Sequence, residues 1–178
     1  MKALLLPNLT KQDALLHTGR VAHRLAELGV SCVMPEQYCS VCGAFPVRFC
    51  RSSEEGLTDC DIVIAVGGDG TIIHSAKEAA AFGKPVLGVN VGRLGFVAGL
   101  ETDELDRLER LIAGDYIVDE RMMLEVTLYR EGRELSYYAL NDAVLARGAL
   151  SKILDFRVLL NDCLLYTSDA ADDLTRVD

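Results

Sequence analysis

Residues 61–71 read Asp61-Ile62-Val63-Ile64-Ala65-Val66-Gly67-Gly68-Asp69-Gly70-Thr71. The apolar run predicts a strand over 61–66 that is buried on both faces, as strands of a parallel sheet are. Three glycines then break the strand, and Ile72–Phe82 follows with the pattern of a helix. A glycine-rich turn between a buried strand and a helix N-terminus offers backbone N–H groups to an anion. Asp69 is the unusual member. A carboxylate beside phosphates is repulsive unless it binds a metal or accepts a proton.

The surrounding chain extends the same alternation. Ala3–Leu6 predicts a first strand, and Gln12–Leu28 a helix with Leu15, Val21, Ala22, Leu25 and Leu28 at helical spacing and Gly29 as C-cap. Val30–Met34 predicts a second strand. Residues 36–60 read as loop with at most one short helix, and Pro85–Val89 as a further strand. This β-α order predicts an α/β fold with an N-terminal parallel-sheet nucleotide-binding domain. A helix opening at Thr102-Asp103-Glu104 and ending near Gly114 closes it. Beyond it, 116–129, 135–146 and 153–160 are β-rich without helices, which predicts the start of an antiparallel, sandwich-like all-β domain that is truncated. The expected division is 1–115, 116–162 and a tail at 163–178.

Composition narrows the function classes. The 178 residues carry 18 Lys plus Arg against 27 Asp plus Glu, a net charge of −9. That lacks the basic bias of a nucleic-acid binder. No apolar run approaches the roughly 18 residues of a membrane span, and Met1–Pro7 is too short and too weakly charged for a signal peptide. A cytoplasmic protein without nucleic-acid or membrane partners is expected. Cysteines stand at 32, 39, 42, 50, 60 and 163. Cys39-Ser40-Val41-Cys42 has no second close pair, so free thiols are expected rather than a zinc site.

Two standard phosphate loops fail. Started from Gly68, G-x-G-x-x-G meets Ile73 where Gly is required, and Gly83-Lys84 is preceded by Glu78 and followed by Pro85, which excludes a P-loop. Gly67–Thr71 instead resembles the Gly-Gly-Asp-Gly-Thr signature of NAD kinases, of diacylglycerol and sphingosine lipid kinases and, more loosely, of phosphofructokinases. Asn90-Val91-Gly92-Arg93-Leu94-Gly95-Phe96 looks like the NAD kinase Asn-x-Gly-x-Leu-Gly-Phe segment, and Asn141-Asp142 resembles that family's strand motif. The three in this order resemble the NAD kinase family over residues 1 to about 162.

The resemblance implies transfer of the ATP γ-phosphate to the 2′-hydroxyl of the adenosine ribose of NAD⁺, with a divalent cation, Mg²⁺, balancing the triphosphate. Asp69 would accept the hydroxyl proton, its worth lying in placement. Gly67, Gly68 and Gly70 would admit phosphate to the backbone, with Thr71 and His74 beside it. Asn90 and Gly92 would shape the crossing loop, Phe96 would pack by adenine, and Asn141, Asp142 and Lys152 would face the dinucleotide. Alone, His74 reads as a surface residue, Lys152 as a solvated charge and Phe96 as core; their register with the motifs makes them candidates. The family also implies a homo-oligomer. A lipid kinase would share Gly67–Thr71 but leaves 88–96 without a role, and a non-catalytic nucleotide-binding fragment is the third reading.

The pattern departs from the family after Asn161-Asp162. The family continues with an Asp-Gly pair and a Thr-Pro-Thr-Gly-Ser-like loop, and neither follows here. Residues 163–172 match in frame the translation of a transposase adapter used in DNA library preparation. The sequence therefore predicts a non-native, poorly ordered tail over 163–178.

Overall fold

The computed structural model describes residues 1–11, 13–92, 97–144 and 155–169. It divides into two compact units, Met1–Asp142 and Ala143–Asp178.

The first unit is built on six parallel strands: β1 (Lys2–Pro7), β2 (Ser31–Pro35), β3 (Arg48–Cys50), β4 (Ile62–Gly67), β5 (Val86–Asn90) and β6 (Leu100–Glu101). Their spatial order is β3-β2-β1-β4-β5-β6. β1 and β4 lie at the centre, in register from Ala3↔Ile62 to Pro7↔Val66. The chain moves outward from β1 to β3, then returns to start again beside β1 at β4. Connections diverge at that reversal, and this opens a crevice at the carboxyl ends of β1 and β4.

Both faces of the sheet are covered. Ala3, Leu5, Ile64 and Val66 share one core cluster with Val21 and Leu25 of helix α1 (Ala14–Glu27) and Leu108 and Leu111 of helix α5 (Leu108–Ala113). Leu4, Leu6 and Val63 point the other way, onto Leu57 of α3 (Ser53–Asp59) and Ala79 of α4 (Asp69–Ala80). Every residue of β4 is buried, as its unbroken apolar run predicts. α1 ends where Gly29, at φ 75°, lets the Val30 N–H reach Leu25 O at 2.9 Å.

Residues 36–60 correct the sequence reading. They hold a 3₁₀ turn (Glu36–Tyr38), the short helix α2 (Cys39–Cys42), strand β3 and helix α3. β3 is a three-residue edge strand, too short for periodicity to reveal. α3 did carry a signal in Ser52-x-x-Glu55: Ser52 Oγ accepts the Glu55 N–H at 3.2 Å, and the Glu55 carboxylate takes the Arg51 N–H at 2.8 Å. Two other helix starts move. α4 begins at Asp69 rather than at 72, and the helix expected from Thr102 is a 3₁₀ turn (Leu105–Arg107) leading into α5. The acidic residues at 103 and 104 therefore precede the helical residues.

Within the β-rich remainder the described strands pair as antiparallel hairpins, while 116–123, expected as β-rich, holds no strand. β7 (Leu124–Arg130) pairs with β8 (Arg133–Ala139) around Glu131 and Gly132, at φ 52° and 73°. Two positive-φ turn residues match the right-handed twist of a hairpin. Leu124, Val126 and Leu128 share one face with Ala139, Tyr137 and Leu135. In the second unit β9 (Asp155–Leu160) pairs with β10 (Cys163–Asp169) around Asn161 and Asp162, again both at positive φ. Residues 163–169 are thus a paired strand where the sequence predicted poor order. Their β-prone run Leu164-Leu165-Tyr166-Thr167 behind a two-residue turn is the local reason.

Candidate active site

The motif lies at the crevice. Gly67 ends β4, Gly68 is the N-cap of α4, and Asp69 is its first residue, where a helix dipole favours a carboxylate. Gly68 O accepts the N–H groups of Thr71 (2.9 Å) and Ile72 (3.2 Å), while the glycine itself brings no side-chain acceptor to the first turn. Those two donors are thus spent within the helix start, at the carboxyl edge of the sheet.

Asp69 turns toward the β5–β6 side. Its Oδ1 accepts the Val97 N–H at 3.4 Å. Asn90, opposite Gly67 in the β4–β5 register, is 1% exposed and donates from Nδ2 to both Glu101 carboxylate oxygens at 3.2 and 2.9 Å. A buried amide needs such partners. The Val91 N–H closes the corner on Gly67 O at 2.9 Å. Asn90 thus ties the end of β5 to β6, and Gly92 (φ 129°) takes a conformation open to glycine.

Thr71 and His74 face the β1 side. Together with Gly70 they line a cavity of about 450 Å³ with Asn8, Thr10, Tyr38 and Ser53. The His74 side chain is 74% exposed, with Nε2 3.5 Å from Glu78 Oε1. Asn8 ties the two strand ends together: its N–H donates to Val66 O at 2.9 Å and its side-chain amide to Thr71 Oγ1 at 3.1 Å. Asn8, Tyr38 and Glu101 escaped the sequence reading. Only the strand order reveals that the segment after β1 adjoins the motif after β4.

The structure therefore gathers Gly67–Thr71, His74 and Asn90. Asn141 and Asp142 are exposed in the bend after β8, not inside a strand as the motif suggests. Phe96 and Lys152 lie outside the described residues. Among the described residues no group of three His, Cys, Asp or Glu could hold a metal ion, and no helix is long and apolar enough to cross a membrane. All six cysteines are free, and burial pushes the Cys32 thiol up to about 11.

Residues 5–116 match the family model of the ATP-NAD kinase N-terminal domain. The chain is 45% identical over 116 residues to an NAD kinase of Heliobacterium modesticaldum, covering 64% of this chain and 41% of that one. It is 32% identical over 174 residues to an NAD kinase of Acetivibrio thermocellus, covering 95% and 59% respectively. Yeast NADH kinase complexed with NADH shares the fold, with a TM-score of 0.79 at 16% identity over 94% of this chain and 54% of that one. The chain thus spans about half the length of the relatives it matches. The match to this family leaves the lipid kinase reading without support.

Proposed function

The chain belongs to the ATP-NAD kinase family, and from that premise we propose that its site transfers the γ-phosphate of ATP to the adenosine 2′-hydroxyl of NAD⁺. The observation that carries the reading is Asp69, the first residue of α4 at the carboxyl edge of β4, beside the sheet's reversal. In the proposed reaction the Asp69 carboxylate takes the 2′-hydroxyl proton as the O2′–Pγ bond forms. The bond from Pγ to the β-phosphate oxygen breaks, and ADP leaves. Phosphoryl transfer rests mainly on positioning and charge neutralisation. The Gly70 N–H at the start of α4 and the Thr71 hydroxyl would serve the first task. A divalent cation would supply counter-charge to the triphosphate. With no three-ligand group among the described residues, the donor set fits an ion carried largely by phosphate oxygens and water, as Mg²⁺ commonly is. Asn141, Asp142, Phe96 and Lys152 are proposed on the family resemblance to face the dinucleotide.

The test is NADP⁺ formation from ATP, Mg²⁺ and NAD⁺, beside NAD⁺ affinity by calorimetry. NADP⁺ formation that disappears in Asp69→Asn supports the reading. Saturable NAD⁺ binding without turnover leaves a nucleotide-binding module. No NAD⁺ binding at millimolar concentration sinks both.

A further inference from the structure

Cys39-Ser40-Val41-Cys42 plays no part in the proposed phosphoryl transfer. In the fold these four residues are the whole of α2, a single helical turn. Its two ends are unlike. Cys39 is exposed, whereas Cys42 is 0% exposed in the core cluster that also holds Ala14 and Val21 of α1. Side chains three apart on a helix have β-carbons roughly 5–6 Å apart. A disulfide needs about 3.5–4.5 Å, so a small tightening of this one turn closes the pair. Gly43 follows directly, and a β-carbon there would lie 2.8 Å from Cys39 O. The bare backbone at Gly43 therefore packs close to the start of the turn, where a side chain would wedge it open.

The other cysteines provide the contrast. Cys32 and Cys60 are buried, and Cys50 Sγ lies against Met34 O and Ser52 O at 3.5 and 3.2 Å. Cys163 is exposed, but no cysteine stands near it in the sequence. Burial holds the Cys42 thiol above its ordinary range, which leaves exposed Cys39 to react first. The turn also adjoins a cavity wall. The Cys39 N–H donates to Glu36 O, so α2 continues the 3₁₀ turn that places Gln37 and Tyr38 on the cavity of about 450 Å³.

We propose that Cys39 and Cys42 form a reversible thiol–disulfide exchange site for low-molecular-weight disulfides such as oxidised glutathione, and that closing it moves Tyr38 on the cavity wall. The Cys39 thiolate attacks one sulfur of the disulfide, forming a mixed disulfide and releasing a thiolate. The Cys42 thiolate then attacks the Cys39 sulfur, forming the internal bond and releasing the second thiolate. The protons given up by Cys39 and Cys42 pass to the two leaving thiolates. Two protein thiols are thus oxidised, and the small disulfide is reduced to two thiols. Disulfides that form in a reducing compartment are commonly transient, catalytic or redox-sensing ones, and C-x-x-C is a spacing that suits them. The proposal does not depend on the kinase reading.

The test uses the 178-residue chain carrying Cys163→Ser, held folded in glutathione buffers of rising oxidised fraction, acid-quenched and mapped by mass spectrometry. The peptide holding 39–42 should lose two hydrogens, and dithiothreitol should restore them. Cys42→Ser should instead trap glutathione on Cys39, and Cys39→Ser should abolish both products. The Tyr38 ring signals in NMR should shift on oxidation and stay fixed in Cys39→Ser. A folded chain that leaves 39–42 reduced, closes the pair only after urea unfolding, or joins Cys39 to a different cysteine overturns the exchange site. An internal disulfide with unmoved Tyr38 signals overturns its link to the cavity.

Discussion

Asn8, at the carboxyl end of β1, donates its side-chain amide to Thr71 Oγ1 in the first turn of α4 at 3.1 Å. Sixty-three residues separate them in the chain, yet this bond spans the point where the sheet reverses. The same side chain accepts the Thr10 N–H at 3.1 Å and the Thr10 hydroxyl at 2.6 Å. One residue therefore shapes the loop after β1 and fixes it to the motif. Asn8→Ala should cost about 1–2 kcal/mol, given about 0.5–1.5 kcal/mol net per hydrogen bond. Urea unfolding measures this, and an unchanged midpoint would show that the loop holds without Asn8.

Asp69→Asn keeps the shape of the side chain and removes its capacity as a base. If Asp69 accepts the hydroxyl proton, turnover should fall about 10²–10⁴-fold while ATP affinity stays within about twofold. A variant that forms NADP⁺ at the parent rate removes Asp69 from the chemistry.

Gly88 on β5 underlies α4. A β-carbon there would stand 2.5 Å from Ile72 Cδ1 and 2.9 Å from its Cγ1. Gly88→Ala should destabilise by about 1–3 kcal/mol through overpacking. Ile72→Val removes the nearest atom, so the double variant should recover part of that loss. Strict additivity in the double-mutant cycle would show that the helix seat depends on something else.

Buried thiols should make the fold sensitive to alkali. Burial raises Cys32 to about 11 and also raises Cys42, Cys60 and Cys50. A thiol raised on folding contributes its full stability below the unfolded range, about pH 8.5. That contribution is lost as pH rises to the folded value. For Cys32 the difference corresponds to about 3 kcal/mol. Stability measured from pH 7.5 to 11 should fall, and Cys32→Ala should fall less over the same interval. Parallel profiles for parent and variant would count against Cys32 as a source.

Local chemistry made much of this protein legible. The run 62–66 could only be a buried strand, since an apolar segment without alternation has no face to offer water. Gly67–Thr71 followed it at a strand–helix turn, so Asp69 could be placed at a helix N-terminus from sequence. Ser52-x-x-Glu55 also held the start of α3. The three-residue β3 was beyond such reading, because its strand character comes from pairing with β2, not from its own pattern. Strand order was beyond it too. Which strands adjoin depends on how helices cover both faces of the sheet, and no local run encodes that. Asn8 came to adjoin the motif only because β1 lies beside β4. The sequence determined what the motif is, through residue chemistry and turn geometry; the tertiary structure decided what faces it, because long-range packing set β1 next to β4.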